Sequence, residues 1–362
     1  MISVTDQVLR QGRRGHTTRP FLELAKVEPR GCSLPLQRAL CDFAYERSFE
    51  KATGQLEEHY RVEVPVSTVT RVALKHARQA ERFASQQPAP DSTAEQLIAE
   101  MDGSMLPIVS FPPKEEEEEA ADAEEEGSSD QAFANKDRRK QRAIGWKEIK
   151  LCSVRRKGES TARYGAVLGN AFEAGCVLRQ TAVQSGYGEQ TYVHGVGDGA
   201  PWIADQFDKQ FGTQGKYHID LYHVCEYLHE ASHKCHGEQQ TPKQWLKAQK
   251  KRLLENQGDQ VIDALRPNLE AANVADDIAP VRCCLRYIEN RRQHLDYKGA
   301  RAKELPVGSG EIESAHGHVL QDRLKINGAW WLEENANHMA QMRVLRANRL
   351  WHSYWQNILA AA

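Results

Sequence analysis

No run of apolar residues in this chain approaches the ~18 that a membrane-spanning helix needs, and no basic-then-apolar segment opens it. Neither a membrane span nor a secretion signal is therefore expected. Cys-x-x-Cys pairs are also missing. The 362 residues include eight cysteines, two of them adjacent at Cys283-Cys284, a usage that fits reduced thiols in a cytosolic protein rather than a disulfide framework. A strong excess of either charge is lacking too, with a formal net charge of −2. That near-balance hides an uneven distribution. Glu115 to Glu126 holds nine carboxylates, so the remaining residues carry −2 + 9 = +7, a basic surplus compatible with a nucleic-acid partner.

The length supports two or three structural units. The acidic run, which extends to Asp130 through Gly127-Ser128-Ser129, is followed at once by the basic stretch from Lys136 to Arg142. It reads as a solvated, disordered loop over 113–135. A second reading makes it a DNA mimic that occupies the basic strip when DNA is absent. Residues 1–90 form an N-terminal helical domain in which the segment 36–83 reads as three helices. Apolar residues recur at Leu36, Leu40, Phe43 and Ala44, then at Ala52, Leu56 and Tyr60. Val64-Pro65-Val66 breaks the chain, and Ser67 can cap a third helix to Phe83. That helix would bury Val69, Val72, Ala73, Ala77, Ala80 and Phe83. Arg71, Lys75, Arg78 and Arg82 then share another face. A helix-turn-helix with a basic recognition helix fits this spacing, and an ordinary helical bundle with a solvated face is the plainer alternative.

Farther along, Trp146 to Arg155 and Arg163 to Leu168 alternate like paired strands. A helix over Ala171 to Ser185, a strand over Thr191 to Val196, a short strand over Lys216 to Asp220 and a helix over Tyr222 to His233 follow. From Pro242 to about Ala302 the pattern is helical and charged, with Trp245, Leu253, Leu254, Val261 and Leu265 on one face. Three carboxylates stand out in this frame. Asp102-Gly103 and Asp198-Gly199 each follow a strand-like run, and Glu313 lies where Gly308-Ser309-Gly310 opens a helix. Two strand-end aspartates and a helix-borne glutamate can hold two divalent cations about 4 Å apart, the arrangement that phosphoryl transfer on a nucleic acid needs. Taken singly, an Asp-Gly pair is more often a turn.

Taken together and in order, these phrases resemble the DDE transposases of bacterial insertion sequences, in the Mutator-like group and its ISKra type. The resemblance runs from Ile98 to Trp355. It rests on Asp102-Gly103, Trp146-Lys147-Glu148, Gly197-Asp198-Gly199-Ala200-Pro201-Trp202 and Asp220-Leu221-Tyr222-His223. Leu305-Pro306-Val307-Gly308-Ser309-Gly310, Glu313, Arg323-Leu324-Lys325 and Trp351-His352-Ser353-Tyr354-Trp355 complete it. It implies an α/β fold, a ribonuclease-H-like mixed sheet flanked by helices, which the order of strands and helices matches. The catalytic core would span 91–235 and 306–362, with an all-α insertion at 236–305. Asp102, Asp198 and Glu313 would be the catalytic residues and the ligands of Mg²⁺, for which Mn²⁺ can substitute. Glu311 competes with Glu313, but residues two apart on a helix point about 200° apart, and the family's Gly-Ser-Gly-x-x-Glu spacing selects Glu313.

The implied activity is DNA strand cleavage and strand transfer on double-stranded DNA, at the element's ends and its target. A homo-oligomer in the active complex, no membrane partner and a bacterial cytoplasmic, nucleoid-associated location go with it. Arg323 and Lys325 would contact phosphates alongside the recognition helix, and Asp220 and His223 would support the site. Trp202, Trp330 and Trp331 could stack on splayed bases, although core packing is the commoner role of tryptophan. Two rival readings stand beside this one. A transposase-derived protein could bind DNA without cutting it. His229-Glu230-Ala231-Ser232-His233 also spells the zinc-protease pattern His-Glu-x-x-His. Cys225 and His236 lie near it, and a structural zinc among Cys225, His229, His233 and His236 is the milder version.

Overall fold

The computed structural model describes residues 7–10, 12, 17–24, 27, 31–111 and 142–361. The expected acidic loop at 113–135 and its basic neighbour up to Gln141 lie outside the described residues. The main elements begin with α1 (Leu34–Glu46), α2 (Phe49–Tyr60) and α3 (Val66–Ser85). Next come β1 (Gln96–Ser110), β2 (Ala143–Arg156), β3 (Arg163–Val167) and α4 (Ala171–Gln184). β4 (Tyr192–Gly197), α5 (Pro201–Phe211), β5 (Gly215–Ile219) and α6 (Leu221–Cys235) follow. Five more helices are α7 (Pro242–Leu254), α8 (Gly258–Leu265), α9 (Pro280–Glu289), α10 (Tyr297–Ala302) and α11 (Gly310–Ala315). A π-helical turn at His316–Gln321 leads on to α12 (Glu333–Ala347) and α13 (Trp351–Ala361). Among the described residues no helix is long and apolar enough to cross a membrane.

The chain divides into two compact units that do not follow sequence order. One gathers Met1–Gln86, Met105–Ile149 and His318–Ala362; the other gathers Gln87–Ser104 and Lys150–Gly317. The C-terminal helices therefore group with the N-terminal ones, whereas the sequence reading assigned 306–362 to the catalytic core. The reason lies in buried arginines. Arg343, 3% exposed on α12, donates from Nε to the Val319 carbonyl at 2.6 Å and from Nη1 to the Tyr45 carbonyl at 3.1 Å. Arg346 donates to Asp42 at 2.7 Å, and Trp351 Nε1 reaches the same carboxylate at 2.7 Å. A buried guanidinium left without acceptors would be costly, so α12 and α13 need the α1 end.

The three expected helices of 36–83 are present. On α3 the buried stripe is Val69, Val72, Ala73, His76, Ala77 and Ala80; Phe83 is half-buried and packs edge-on to Tyr354. His76 was not expected inside. It is 1% exposed, and its ring joins three helices through Tyr354 Oη at 2.7 Å on Nδ1 and Gln37 Oε1 at 2.9 Å on Nε2.

In the second unit the sheet order is β3-β2-β1-β4-β5. β2 and β3 pair antiparallel, while β1, β4 and β5 run parallel. The expected strands from β2 to β5 and the α4 and α6 helices are all found, each end within three residues. Helix α5 was missed: Pro201 at its first turn is a start signal that the eye passes over as the end of the Asp198 turn. Gly195 lets α5 approach the sheet, because a Cβ there would meet the Phe207 ring at 2.4 Å. β1 also departs from expectation. It runs on through Asp102 to Ser110, since Leu106 and Ile108 keep the buried alternation going, so Asp102 lies within a strand rather than at its end.

Burial, with help from neighbouring Lys75, pushes the His76 imidazole from its usual 6.5 down to about 4. The unfolded chain thus takes up a proton at a pH where the folded chain resists it, and acid favours unfolding. The neutral ring's contribution is complete above about pH 6.5 and fades as pH falls toward 4. Urea unfolding at pH 5 should show a loss of about 2 kcal/mol from this group relative to pH 7. His76→Gln should remove that increment; an unchanged pH slope in the variant would clear His76 of the effect.

Candidate functional site

Register places the candidate carboxylates. Glu100 lies opposite Val196 in the β1–β4 ladder, so two residues on, Asp102 and Asp198 stand at one level on adjacent parallel strands. Gly197 lies opposite Ile219 in the β4–β5 ladder, which puts Asp220 level with Asp198. Three aspartates therefore stand at one level across the sheet, Asp102 within β1 and Asp198 and Asp220 one residue past the ends of β4 and β5. Residues from Ala300 to Ala315 cover one face of the sheet: Ala300, Leu305 and Val307 pack on Ile98, and the Ile312 amide donates to Glu100 Oε2 at 2.9 Å.

Each carboxylate has its own holding contacts. Asp102 accepts from its neighbour's amide, Gly103, at 2.7 Å on Oδ1. Its Oδ2 stands 3.3 Å from Nε2 of His316, a buried histidine three residues past Glu313 at the start of the π-turn. Asp198 Oδ1 accepts from the Ala200 amide at 2.8 Å. Asp220 is 1% exposed and fully engaged. Its Oδ1 accepts from the Tyr222 and His223 amides at 2.5 and 3.3 Å, capping α6. Its Oδ2 accepts from the Ser309 amide at 2.7 Å and the Ser309 hydroxyl at 2.6 Å. Asp220 thus ties the turn that carries Glu313 to the end of β5. Glu313 itself is exposed, and partial burial, Asp220 and Glu226 together push its carboxyl above the ordinary value, against the pull of His223. Glu311 faces elsewhere, accepting from Tyr164 Oη at 2.9 Å.

A polar layer underlies the row. Burial pushes Glu100 up to about 7 despite the Ile312 amide. His194 and His218, in ring contact at 4.5 Å, are pushed by burial down to about 4 and about 3. His194 Nε2 lies 2.7 Å from the Pro306 carbonyl, which can only accept, so that nitrogen carries the ring's proton. Both rings are neutral packing groups.

The structure brings Asp102 and Asp198 to adjacent strands and fastens the Glu313 turn to the third. It does not close them into a cage: among the described residues no three His, Cys, Asp or Glu side chains are grouped to hold a metal ion. The same holds for the zinc cluster. His229 and His233 are exposed with ring centroids 5.2 Å apart, and His236 Nδ1 is turned to the Ser232 carbonyl at 2.9 Å. On α3, Arg71, Arg78 and Arg82 are exposed and Lys75 is half-buried. Arg323 requires correction as a phosphate contact. It is 2% exposed, sandwiched 4.8 Å from the Phe49 and Trp331 rings, and donates to the Ala44 carbonyl at 2.8 Å. An arginine amid apolar neighbours reads as cationic in sequence, yet here two aromatic faces and a carbonyl hold it inside. Lys325 is half-buried. Trp331 packs inward and Trp330 is exposed. His223 is half-buried, with Nδ1 3.1 Å from Glu226.

Sequence reasoning missed His316, Glu100 and the tyrosines around Asp198. The three-residue step from Glu313 to His316 was a usable helical signal; the others become neighbours only through the sheet.

A profile described as "Uncharacterised protein family (UPF0236)" matches residues 183–353, a span that takes in Asp198, Asp220 and Glu313 but not Asp102. A search for relatives among curated proteins finds no match. Four chains of solved structures match. One is the Drosophila P element transposase strand transfer complex, at a TM-score of 0.32 and 9% identity over 93% of this chain and 83% of that one.

Removing the Asp220 side chain strips a helix cap and leaves the buried Ser309 hydroxyl without its acceptor. Asp220→Ala should lower the unfolding free energy by about 2–4 kcal/mol, while Glu313→Ala, exposed, should change it by under about 0.5 kcal/mol. Denaturant titration of both variants checks this, and equal costs would deny Asp220 its structural role.

Proposed function

We propose that this chain is a DNA transposase that cuts and joins strands through Asp102, Asp198 and Glu313, of the Mutator-like, ISKra type. The observation that carries the reading is the level pairing of Asp102 and Asp198 on adjacent parallel strands, with the Glu313 turn fastened to the next strand through Asp220. The strand order β3-β2-β1-β4-β5, antiparallel on one side and parallel on the other, supports a ribonuclease-H-like core.

The donor set is carboxylate oxygen, the ligand chemistry that Mg²⁺ takes and that Mn²⁺ accepts. Bound there, the ions would supply activation of the attacking hydroxyl and charge relief at the leaving 3′-oxygen. Asp102 and Asp198 would be the shared ligands and Glu313 would complete the set. The chain's own task is positioning: the sheet fixes two carboxylates, and Asp220 and Glu100 fix the turn bearing the third, so little reorganisation is left to the reacting complex. Double-stranded DNA is the partner, engaged by Arg71, Lys75, Arg78 and Arg82 in the helix-turn-helix reading of α1–α3, with Lys325 a further phosphate contact. A homo-oligomer would pair two element ends, and a bacterial nucleoid would be the setting.

Asp102→Ala, Asp198→Ala and Glu313→Ala should each abolish Mg²⁺-dependent cleavage of end-bearing DNA while leaving its binding intact, and Glu311→Gln should stay active. A gel assay of strand cleavage, paired with a binding titration, reads both. Activity in Glu313→Ala together with its loss in Glu311→Gln would refute the assignment within α11.

Replacing Arg71 and Arg82 with alanine should weaken DNA binding and reduce the slope of log affinity against log salt by about 1–2. Arg78 already meets Glu334 at 3.5 Å, an exposed pair of small worth, so Arg78→Ala should act more weakly. Arg323→Met should leave the salt slope unchanged and lower stability instead. Fluorescence anisotropy at several salt concentrations measures the binding effects and denaturant titration the stability of Arg323→Met, and an unaltered slope in the double variant would return α3 to an ordinary bundle helix.

A further inference from the structure

The turn that presents Asp198 is held by residues far along the chain. The peptide unit joining Asp198 to Gly199 is bonded at both ends by tyrosine hydroxyls. Its carbonyl accepts from Tyr287 Oη at 2.6 Å, and its amide donates to Tyr217 Oη at 3.0 Å. The next carbonyl, Gly199, accepts from Arg291 Nε at 2.7 Å. Gly199 has φ +85°, and a Cβ there would meet Tyr287 Oη at 2.6 Å and Arg291 Nε at 3.0 Å. Only glycine fits beneath this grip. The Arg291 guanidinium carbon also stands over the Tyr287 ring, 4.2 Å from its centre, and Tyr227 stacks on that ring at 4.2 Å and 16°. Burial pushes the Tyr217 and Tyr287 phenols well above their usual value, so both remain hydroxyls.

Fixing one peptide plane at both ends holds the ψ of Asp198 and so the direction of its Cα–Cβ bond, from which the Ala200 amide on Oδ1 orients the carboxylate. Tyr287 stands on α9, and Arg291 lies two residues past the end of that helix. The helical stretch between Pro242 and Ala302 is otherwise remote in sequence from the carboxylate row.

We propose that Tyr287 and Arg291, with Tyr217, are positioning residues that set the Asp198 carboxylate for divalent-ion binding. The proposal rests on the functional reading above. It makes the α9 segment a working part of the site rather than a passive insertion.

The test uses the full chain and two probes. Mn²⁺ alone, titrated without DNA and followed by its electron paramagnetic resonance signal, reads ion binding. Hydrogen exchange of peptides covering residues 197–200 reads the clamp itself. Tyr287→Phe removes one hydroxyl, and Arg291→Met removes the guanidinium; each should weaken Mn²⁺ about tenfold and speed exchange of the turn. Arg291→Lys, which keeps a donor, should recover part of the affinity. In cleavage, the Mg²⁺ concentration for half-maximal rate should rise more than the rate at saturation falls, a split that general loosening of the fold would not give. Unchanged exchange and unchanged Mn²⁺ affinity in Tyr287→Phe would overturn the proposal. Faster exchange with Mn²⁺ affinity unchanged would overturn it equally, reducing the clamp to fold support. A wild-type chain that neither binds Mn²⁺ nor cuts DNA would instead bring down the functional reading, and the ion-positioning role with it.

Discussion

Four hydrogen bonds converge on one buried carboxylate, that of Asp220, and the site's geometry follows from them. Each oxygen serves a different element: one caps α6, the other fastens the Ser309 turn. A buried carboxylate is tolerable only when its oxygens are fully satisfied, so neither partner can drift without stranding one of them. The backbone repeats the link, since the Asp220 amide donates to the Gly197 carbonyl at 2.7 Å and the Leu221 amide to the Val307 carbonyl at 2.8 Å. The end of β4, the end of β5 and the start of α11 are thereby a single rigid corner. Asp198 and Glu313 ride on it.

The face beneath that corner is unusual in composition. Glu100, His194 and His218 lie where a sheet interior would ordinarily be aliphatic, and burial keeps all three toward their neutral forms. They contribute hydrogen-bond direction rather than charge. Glu100 accepts from the Ile312 amide and His194 donates a hydrogen bond to the Pro306 carbonyl, so two successive points of the covering segment are pinned to β1 and β4. The opposite face is apolar, with Leu97, Ala99, Val193 and Ile219 packed against helices. One face supplies cohesion, the other orientation.

Much of this was legible in the sequence where local periodicity sufficed. The α1–α3 segment, the β2–β3 pair and the α6 helix announce themselves through alternation, Pro breaks and caps. Asp102 was recognised from its phrase but misplaced at a strand end, because Asp-Gly carries a turn signal that the buried alternation of Leu106 and Ile108 overrides. Arg323 was misread because sequence shows charge and not burial; Phe49 and Trp331, which enclose it, are far away or eight residues on. The grouping of His318–Ala362 with the N-terminal helices was invisible for the same reason. Tyr217, Tyr287 and Arg291 show nothing along the chain, since their meaning depends on two successive peptide units that β5 and the α9 segment reach from separate places.

The discontinuous unit has a consequence for how the molecule is made. Helices α1–α3 are synthesised well before Tyr354, which bonds His76, and before Arg343 and Arg346, which bond Tyr45 and Asp42. The unit made of Gln87–Ser104 and Lys150–Gly317 is complete in sequence before those residues leave the ribosome. Folding during translation therefore cannot proceed strictly from the N-terminus. Helices α1–α3 wait, with part of their apolar and polar surface uncovered, until α12 and α13 have been made.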